Sequence, residues 1–128
     1  MNTSTLINII IVIAVIWFAY TRFKPMKGLR HLQAEQFRAE VEQTTDALLI
    51  DVREPAEFKS GYIHNARNIP LSQLKNRMGE IPQDSAVFLY CRSGMRSQQA
   101  ARILQKNKYS NLTNLQGGIM SWKGKIQK

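Results

Sequence analysis

Residues Leu6 to Tyr20 read LINIIIVIAVIWFAY, with Asn8 the single polar interruption and no charged side chain. A helix apolar on every face has nothing to offer water and is buried, in protein or in lipid. Counted from Thr3, the run holds 18 residues. As a helix it would rise about 27 Å, close to the ~30 Å hydrocarbon core of a bilayer. Trp17, Phe18 and Tyr20 gather at one end, where aromatic side chains mark a membrane interface. A core helix of a soluble domain rarely lacks a polar face over four turns. A cleaved signal peptide would carry basic residues before the run and a small-residue cleavage site after it. Met1 to Thr5 contain no Lys or Arg, and the exit reads FAYTRFK. The chain is therefore expected to divide into a short tail at 1–4, a transmembrane helix at 5–20, a basic juxtamembrane linker at 21–29, and one domain at 30–128.

Charge sets the expected orientation. Arg22, Lys24, Lys27 and Arg30 follow the span with no acid among them, and no basic residue precedes it. The excess of basic residues on the cytoplasmic side of spans then predicts a single-pass protein of the cell membrane. Its N-terminus would lie outside and its domain in the cytoplasm. The lone cysteine agrees, since a reducing compartment keeps a thiol free. Lys24 to Gly28 would be a linker able to pair with anionic headgroups.

The net charge of +9 suggests nucleic acid only while it is taken as one number. Residues 32–84 hold six basic and nine acidic side chains, whereas 85–128 hold eight basic and none acidic. Neither part has aromatics interleaved with basic residues or a reading-head helix. No nucleic-acid partner is expected. One Cys and two separated His residues exclude a disulfide framework and a thiolate zinc site. No metal or cofactor is expected either.

The rest of the sequence alternates between strand and helix signals. Gln33 to Glu42 is amphipathic, with Phe37 and Val41 four apart. Ala47 to Val52 and Ala86 to Tyr90 are continuous apolar runs of the kind buried on both faces of a sheet. Asn68 to Pro70 predicts a short strand, followed by a helix from Ser72, as N-cap, to Gly79. Ser97 to Asn107 predicts a helix opened by its hydroxyl residue. Leu112 to Leu115 predicts another strand, and Gly117-Gly118 leads to a closing helix with Trp122. The pattern is that of an α/β domain with a mainly parallel sheet flanked by helices.

Cys91 stands at the carboxyl end of the 86–90 strand, followed by Arg92-Ser93-Gly94-Met95-Arg96-Ser97. Ligands of open α/β sheets bind beyond the strand carboxyl ends. A short glycine-bearing turn into a helix turns N–H groups toward an anion. The helix end, Arg92 and Arg96 would each favour thiolate over thiol. The competing reading is an inert core cysteine.

The segment Cys91 to Ser97 resembles the active-site loop of single-domain rhodanese-like sulfurtransferases, which commonly read C-R-S-G-x-R-S. The likeness continues in order. Asp51-Val52-Arg53 with Glu57-Phe58 resembles the family's D-V-R…E-F, Gly61 to Pro70 its G-H-I-x-G-A-x-N-I-P, and Leu115 to Gly118 with Trp122 its L-x-G-G…W. Two positions depart: Tyr62 stands for the usual His and Asn65 for the usual Gly. Asn tolerates a left-handed backbone best among residues with a side chain. Neither Tyr62 nor His64 is given a catalytic role.

The resemblance implies a rhodanese-like domain with a persulfide mechanism. The Cys91 thiolate would take sulfane sulfur from a small anionic donor such as thiosulfate or a persulfide. It would then pass that sulfur to cyanide, a protein thiol or another thiophile. Ser93, Gly94 and Met95 would supply loop N–H groups, and Arg92 and Arg96 would bind the anion. Asp51, Arg53 and Ser97 would support the loop; Gly117, Gly118 and Trp122 would serve the fold. Four residues separate Cys91 from Arg96, whereas the related phosphatases and arsenate reductases use five. A different class, a rhodanese-like module that recruits partners to the membrane without catalysis, would more often have lost the cysteine.

Overall fold

The computed structural model describes residues 1–23 and 28–128. The expected linker charges Lys24 and Lys27 lie outside the described residues. The apolar N-terminus forms one helix, α1 (Thr3–Phe23), and its stretch Thr3–Arg22 is long and apolar enough to cross a membrane. None of that stretch is buried against protein. That leaves a full circumference of apolar side chains without a protein partner.

After a turn at Gly28 comes β1 (Leu29–Leu32), whose first residue, Leu29, falls within the expected linker. Arg30, expected to be a juxtamembrane charge, lies in this strand. It grips Glu40 through both terminal nitrogens (3.0 and 2.6 Å) and reaches Thr113 Oγ1 (2.9 Å). Next come α2 (Ala34–Gln43), β2 (Ala47–Asp51), α3 (Pro55–Ser60), β3 (Tyr62–Ile63) and β4 (Arg67–Asn68). A 3₁₀ turn, α4 (Leu74–Arg77) and a second 3₁₀ turn lead to β5 (Ala86–Tyr90). The chain ends with α5 (Met95–Lys106), β6 (Leu112–Leu115), the 3₁₀ turn Gly118–Ser121 and β7 (Ile126–Gln127).

Five strands form a wholly parallel sheet in the order β1-β6-β5-β2-β4. The antiparallel pair β3–β7 lies outside it. Side chains alternate across β5. Val87 and Leu89 join Ile50, Leu104 and Leu112 on one face, and Phe88 and Tyr90 join Phe37, Leu49 and Leu115 on the other. Covering both faces is what makes β2 and β5 continuous apolar runs rather than alternating ones. The aromatic side of the core holds Phe37 edge-on to both Phe88 (5.4 Å) and Trp122 (6.3 Å).

Three local expectations changed. The short strand sits at Arg67–Asn68, one residue earlier than the sequence suggests, because Asn68 pairs with Asp51 of β2. Ser72 does not cap a helix. It lies within the first 3₁₀ turn, and its hydroxyl meets Glu54 Oε1 at 3.1 Å. Helix α5 starts at Met95 with Gly94 as N-cap, so Ser97 lies in its first turn and is fully buried. Asn65 adopts the left-handed conformation, φ 70°, that its substitution for glycine required.

Candidate active site

Cys91 is the first residue beyond β5, at the carboxyl edge of the parallel sheet. Its carbonyl accepts from the N–H of Ile119 (2.9 Å), and that of Arg92 accepts from Met120 (3.2 Å). The turn after β6 therefore holds the start of the loop from below. Gly118 makes this approach possible. A Cβ there would run into the carbonyls of Cys91 and Arg92, and its φ of 63° is strained for any other residue. The sequence marked Gly118 as a fold residue; the structure places it directly beneath the thiol's loop.

The loop closes through Gly94, whose φ of 110° turns the chain into α5. Its N–H points at Cys91 Sγ, 3.0 Å away. Ser97 Oγ lies 3.5 Å from the same sulfur. Burial of Cys91 (1% exposed) pushes its thiol pKa up. The N–H groups of Ser97, Gly94 and Ser93, joined by the Ser97 hydroxyl when it donates to the sulfur, outweigh burial and bring the thiol below its ordinary value. At the start of α5, the N–H groups of Met95 and Arg96 find no acceptor among the described residues. First-turn donors of this kind are free for an anion.

The two arginines of the loop part company. Arg92 is exposed and has no ion pair among the described residues. Arg96 does not present a free guanidinium. Its two terminal nitrogens bind the two oxygens of Glu57 at 2.6 and 2.9 Å. The local sequence Glu54-Pro55-Ala56-Glu57 explains this placement. Pro55 starts α3, and the side chains of Glu54 and Glu57 close a reciprocal capping box. That box sets the Glu57 carboxylate at the helix start. Arg96 holds its pKa down to about 2, and Glu57 in turn raises that of Arg96. The expectation that Arg96 orients a donor gives way to a clamp between α3 and α5.

Asp51 and Arg53 also sit differently from the expectation. Their ion pair is buried, with Arg53 Nη2 2.7 Å from Asp51 Oδ2. The remaining Arg53 reach goes to the Gly61 carbonyl (2.6 Å), and the ring of Tyr90 lies below the guanidinium at 5.9 Å. These bonds tie the β2–α3 turn to β3, one crossover away from the Cys91 loop. Tyr90 completes the arrangement by accepting from the Ile63 N–H (3.1 Å). Burial pushes its phenol pKa well up. Ser97, by contrast, meets the loop itself. It approaches Gly94 O (3.1 Å) as well as the sulfur. Tyr62 stacks on Phe58 at 4.1 Å, and His64 is exposed and lines a mixed cleft with Phe37, Arg38, Glu42 and Trp122.

A cleft of about 400 Å³ opens beside the loop, lined by His31, Ser93, Gly94, Gln98, Asn114 and neighbouring residues. Two larger clefts, about 630 and 470 Å³, lie against α2 and Trp122. No residue of the Cys91–Ser97 loop lines either of them, so neither is taken as the reaction site. Among the described residues no His, Cys, Asp and Glu cluster could hold a metal ion.

Residues 33–125 match the family described as Rhodanese-like domain. The chain belongs to the rhodanese-like family. The uncharacterized protein YqhL of Bacillus subtilis is 42% identical over 125 residues, covering 98% of this chain and 97% of its own length. A protein of Allochromatium vinosum named Sulfurtransferase is 40% identical over 94 residues, 73% of this chain and 88% of its own. The crystal structure of a rhodanese-related protein from Thermoplasma volcanium superposes with a TM-score of 0.69 at 29% identity. It covers 77% of this chain and 97% of that one. The alignment with YqhL is too long to leave out α1, so the N-terminal helix is matched along with the rhodanese-like domain.

Sequence reasoning missed three residues of the site: Glu57 as the partner of Arg96, and Asn114 and His31 on the far side of Ser97. Asn114 left a signal, being a polar residue in a strand buried at all four positions. His31 left none.

Proposed function

We propose that this rhodanese-like protein is a membrane-anchored sulfurtransferase in which Cys91 carries sulfur as a persulfide. The observation that carries the reading is the thiol lying 3.0 Å from the Gly94 N–H at the mouth of a helix whose first N–H groups have no acceptor. A thiolate held this way needs no separate base. It attacks the sulfane sulfur of thiosulfate; the new Cys91 S–S bond forms as the donor's S–S bond breaks, and sulfite departs with the electron pair. The outer sulfur of the persulfide is then an anion, one bond further out, within reach of the free N–H groups of α5. Attack on it by cyanide or an acceptor thiol returns the Cys91 thiolate. Arg92, exposed and unpaired, supplies the charge that draws an anionic donor.

The charge-free run Leu6 to Tyr20 of α1 supports anchoring in the cell membrane, and the basic residues after it, Arg22, Lys24 and Lys27, support an N-terminus outside and a domain in the cytoplasm. A protein thiol or persulfide is a suitable acceptor at such a site, beside small thiophiles. The full chain in detergent should convert thiosulfate and cyanide to thiocyanate, and Cys91→Ser should remove that activity entirely. Equal rates in the two proteins would end the reading.

A further inference from the structure

Ser97 does not end the polar contacts behind the thiol. Its Oγ lies 2.5 Å from Asn114 Oδ1, and Asn114 Nδ2 lies 3.1 Å from His31 Nδ1. A continuous chain thus runs from Cys91 Sγ through Ser97 and Asn114 to an imidazole on β1. The strand order β1-β6-β5 makes it possible, setting His31 opposite Asn114 in register. Asn114 and Ser97 are buried at 1% and 0% exposure, whereas His31 is exposed at the cleft beside the loop.

Such a chain has a direction. A hydroxyl has one proton to give, and a distance of 2.5 Å is that of an O–H···O bond. Here Ser97 donates to Asn114, and Asn114 donates to an unprotonated His31 Nδ1. The Ser97 oxygen then faces the sulfur as an acceptor, which suits a thiol. The opposite direction suits a thiolate. His31 donates from Nδ1, the Asn114 amide turns through half a rotation, its NH₂ donates to Ser97, and the Ser97 hydroxyl donates to Sγ. The exchange needs the amide rotation, a turn of the Ser97 hydroxyl from Asn114 and past the Gly94 carbonyl (3.1 Å) to the sulfur, and a slight lengthening of the Ser97–Asn114 contact.

We propose that His31 and Asn114 are positioning residues for the Cys91 thiolate, with a proton on His31 Nδ1 selecting the direction in which Ser97 donates to the sulfur. The side chains of His31 and Asn114 act through Ser97 and need not touch substrate. No charged side chain lines their cleft. On the surrounding elements Arg30 pairs with Glu40, Asp51 with Arg53 and Arg96 with Glu57. Arg92 in the loop, Glu35 on α2, and Arg102 and Lys106 on α5 are exposed and make no ion pair among the described residues. The proposal rests on Cys91 as the nucleophile, yet its test reads thiol ionisation rather than sulfur transfer, so either can fail without the other.

Cys91 is the single cysteine of the chain, and iodoacetamide alkylation of the full protein in detergent reports on it alone. Below the thiol midpoint, one ionisation gives about a tenfold change in rate per pH unit. Two coupled protonations give a shallower slope. The wild type should show the shallow slope on the acid side. His31→Ala should restore the steep one and slow alkylation at about pH 6 by roughly fivefold. In a Ser97→Ala background, His31→Ala should change nothing further, because the chain is already cut. By reciprocity, the proton affinity of His31 followed by NMR should fall in Cys91→Ser; this arm involves no loss of a buried partner of Asn114. Superimposable profiles for wild type and His31→Ala overturn the proposal. So does an equal His31→Ala effect with and without Ser97, which would mark a through-space charge effect, or an unchanged His31 titration in Cys91→Ser.

Discussion

Gly118 and Asp51 show two different ways in which one residue sustains the site. Gly118 lies under the carbonyls of Cys91 and Arg92, so a methyl there must push the loop away or unwind the turn. Together with the positive φ, Gly118→Ala should cost roughly 2–4 kcal/mol. Denaturant unfolding measures that cost, and a stability equal to wild type would show that the loop floor yields. Asp51 works at a distance from the sulfur. It is the buried partner of Arg53, and Asp51→Asn leaves a guanidinium charge in the interior. Breaking a buried pair from one side typically costs about 3–5 kcal/mol. The expected result is a large loss of stability with the Cys91 alkylation rate per folded molecule nearly unchanged, since the pair bonds to Gly61 and not to the loop. A selective loss of thiol reactivity would place Asp51 in the site after all.

Between elements, the Glu57–Arg96 bridge joins α3 to the first turn of α5, and with it the loop's end to the β2 crossover. Glu57 has a folded pKa of about 2 against an ordinary 4.5. A lowered carboxylate pKa stabilises the fold fully above the ordinary value and loses that effect as pH falls toward the folded one. Both side chains are about one-third exposed, so solvent screens the pair, and Glu57→Gln should cost less than about 1 kcal/mol near neutrality. Thermal unfolding of wild type and variant should converge as the pH falls toward 2; a gap that persists in acid would assign the effect to packing.

Legibility from sequence also divides at this scale. Strands β2 and β5 announce themselves because both sheet faces are covered and their runs are nearly all apolar, while β6, Leu112 to Leu115, shows through the leucines at its two ends. Helix α2 shows through Phe37 and Val41. Strand β1 does not show, because Leu29-Arg30-His31-Leu32 is short, half polar and runs on from a basic stretch. Strands β3 and β7 are two residues each and carry no pattern to detect. Ser97 misleads for a physical reason: Gly94 takes the left-handed cap position, and the serine preference for a helix start is spent on the buried chain to Asn114. The loop of the site was readable because its residues are contiguous. Glu57, Asn114 and His31 were not, since only the strand order and the α3 capping box bring them there.

For the whole molecule, the charge total resolves into places rather than into one partner. Arg30 and Arg96 are held by acids of the domain, while Arg92 stays open beside the thiol. The N-terminal helix predicts that the intact chain stays with membranes through high-salt washing and leaves them only in detergent; release by salt would contradict the anchor. Orientation can be checked with Thr3→Cys in a Cys91→Ser background. An impermeant maleimide should label that residue on intact cells, and labelling only after lysis would reverse the orientation. A persulfide on Cys91 is read most directly in the mass of the full protein after exposure to thiosulfate. One sulfur atom should be added, removed by cyanide and absent from Cys91→Ser. An unchanged mass, or the same addition in Cys91→Ser, would contradict the persulfide.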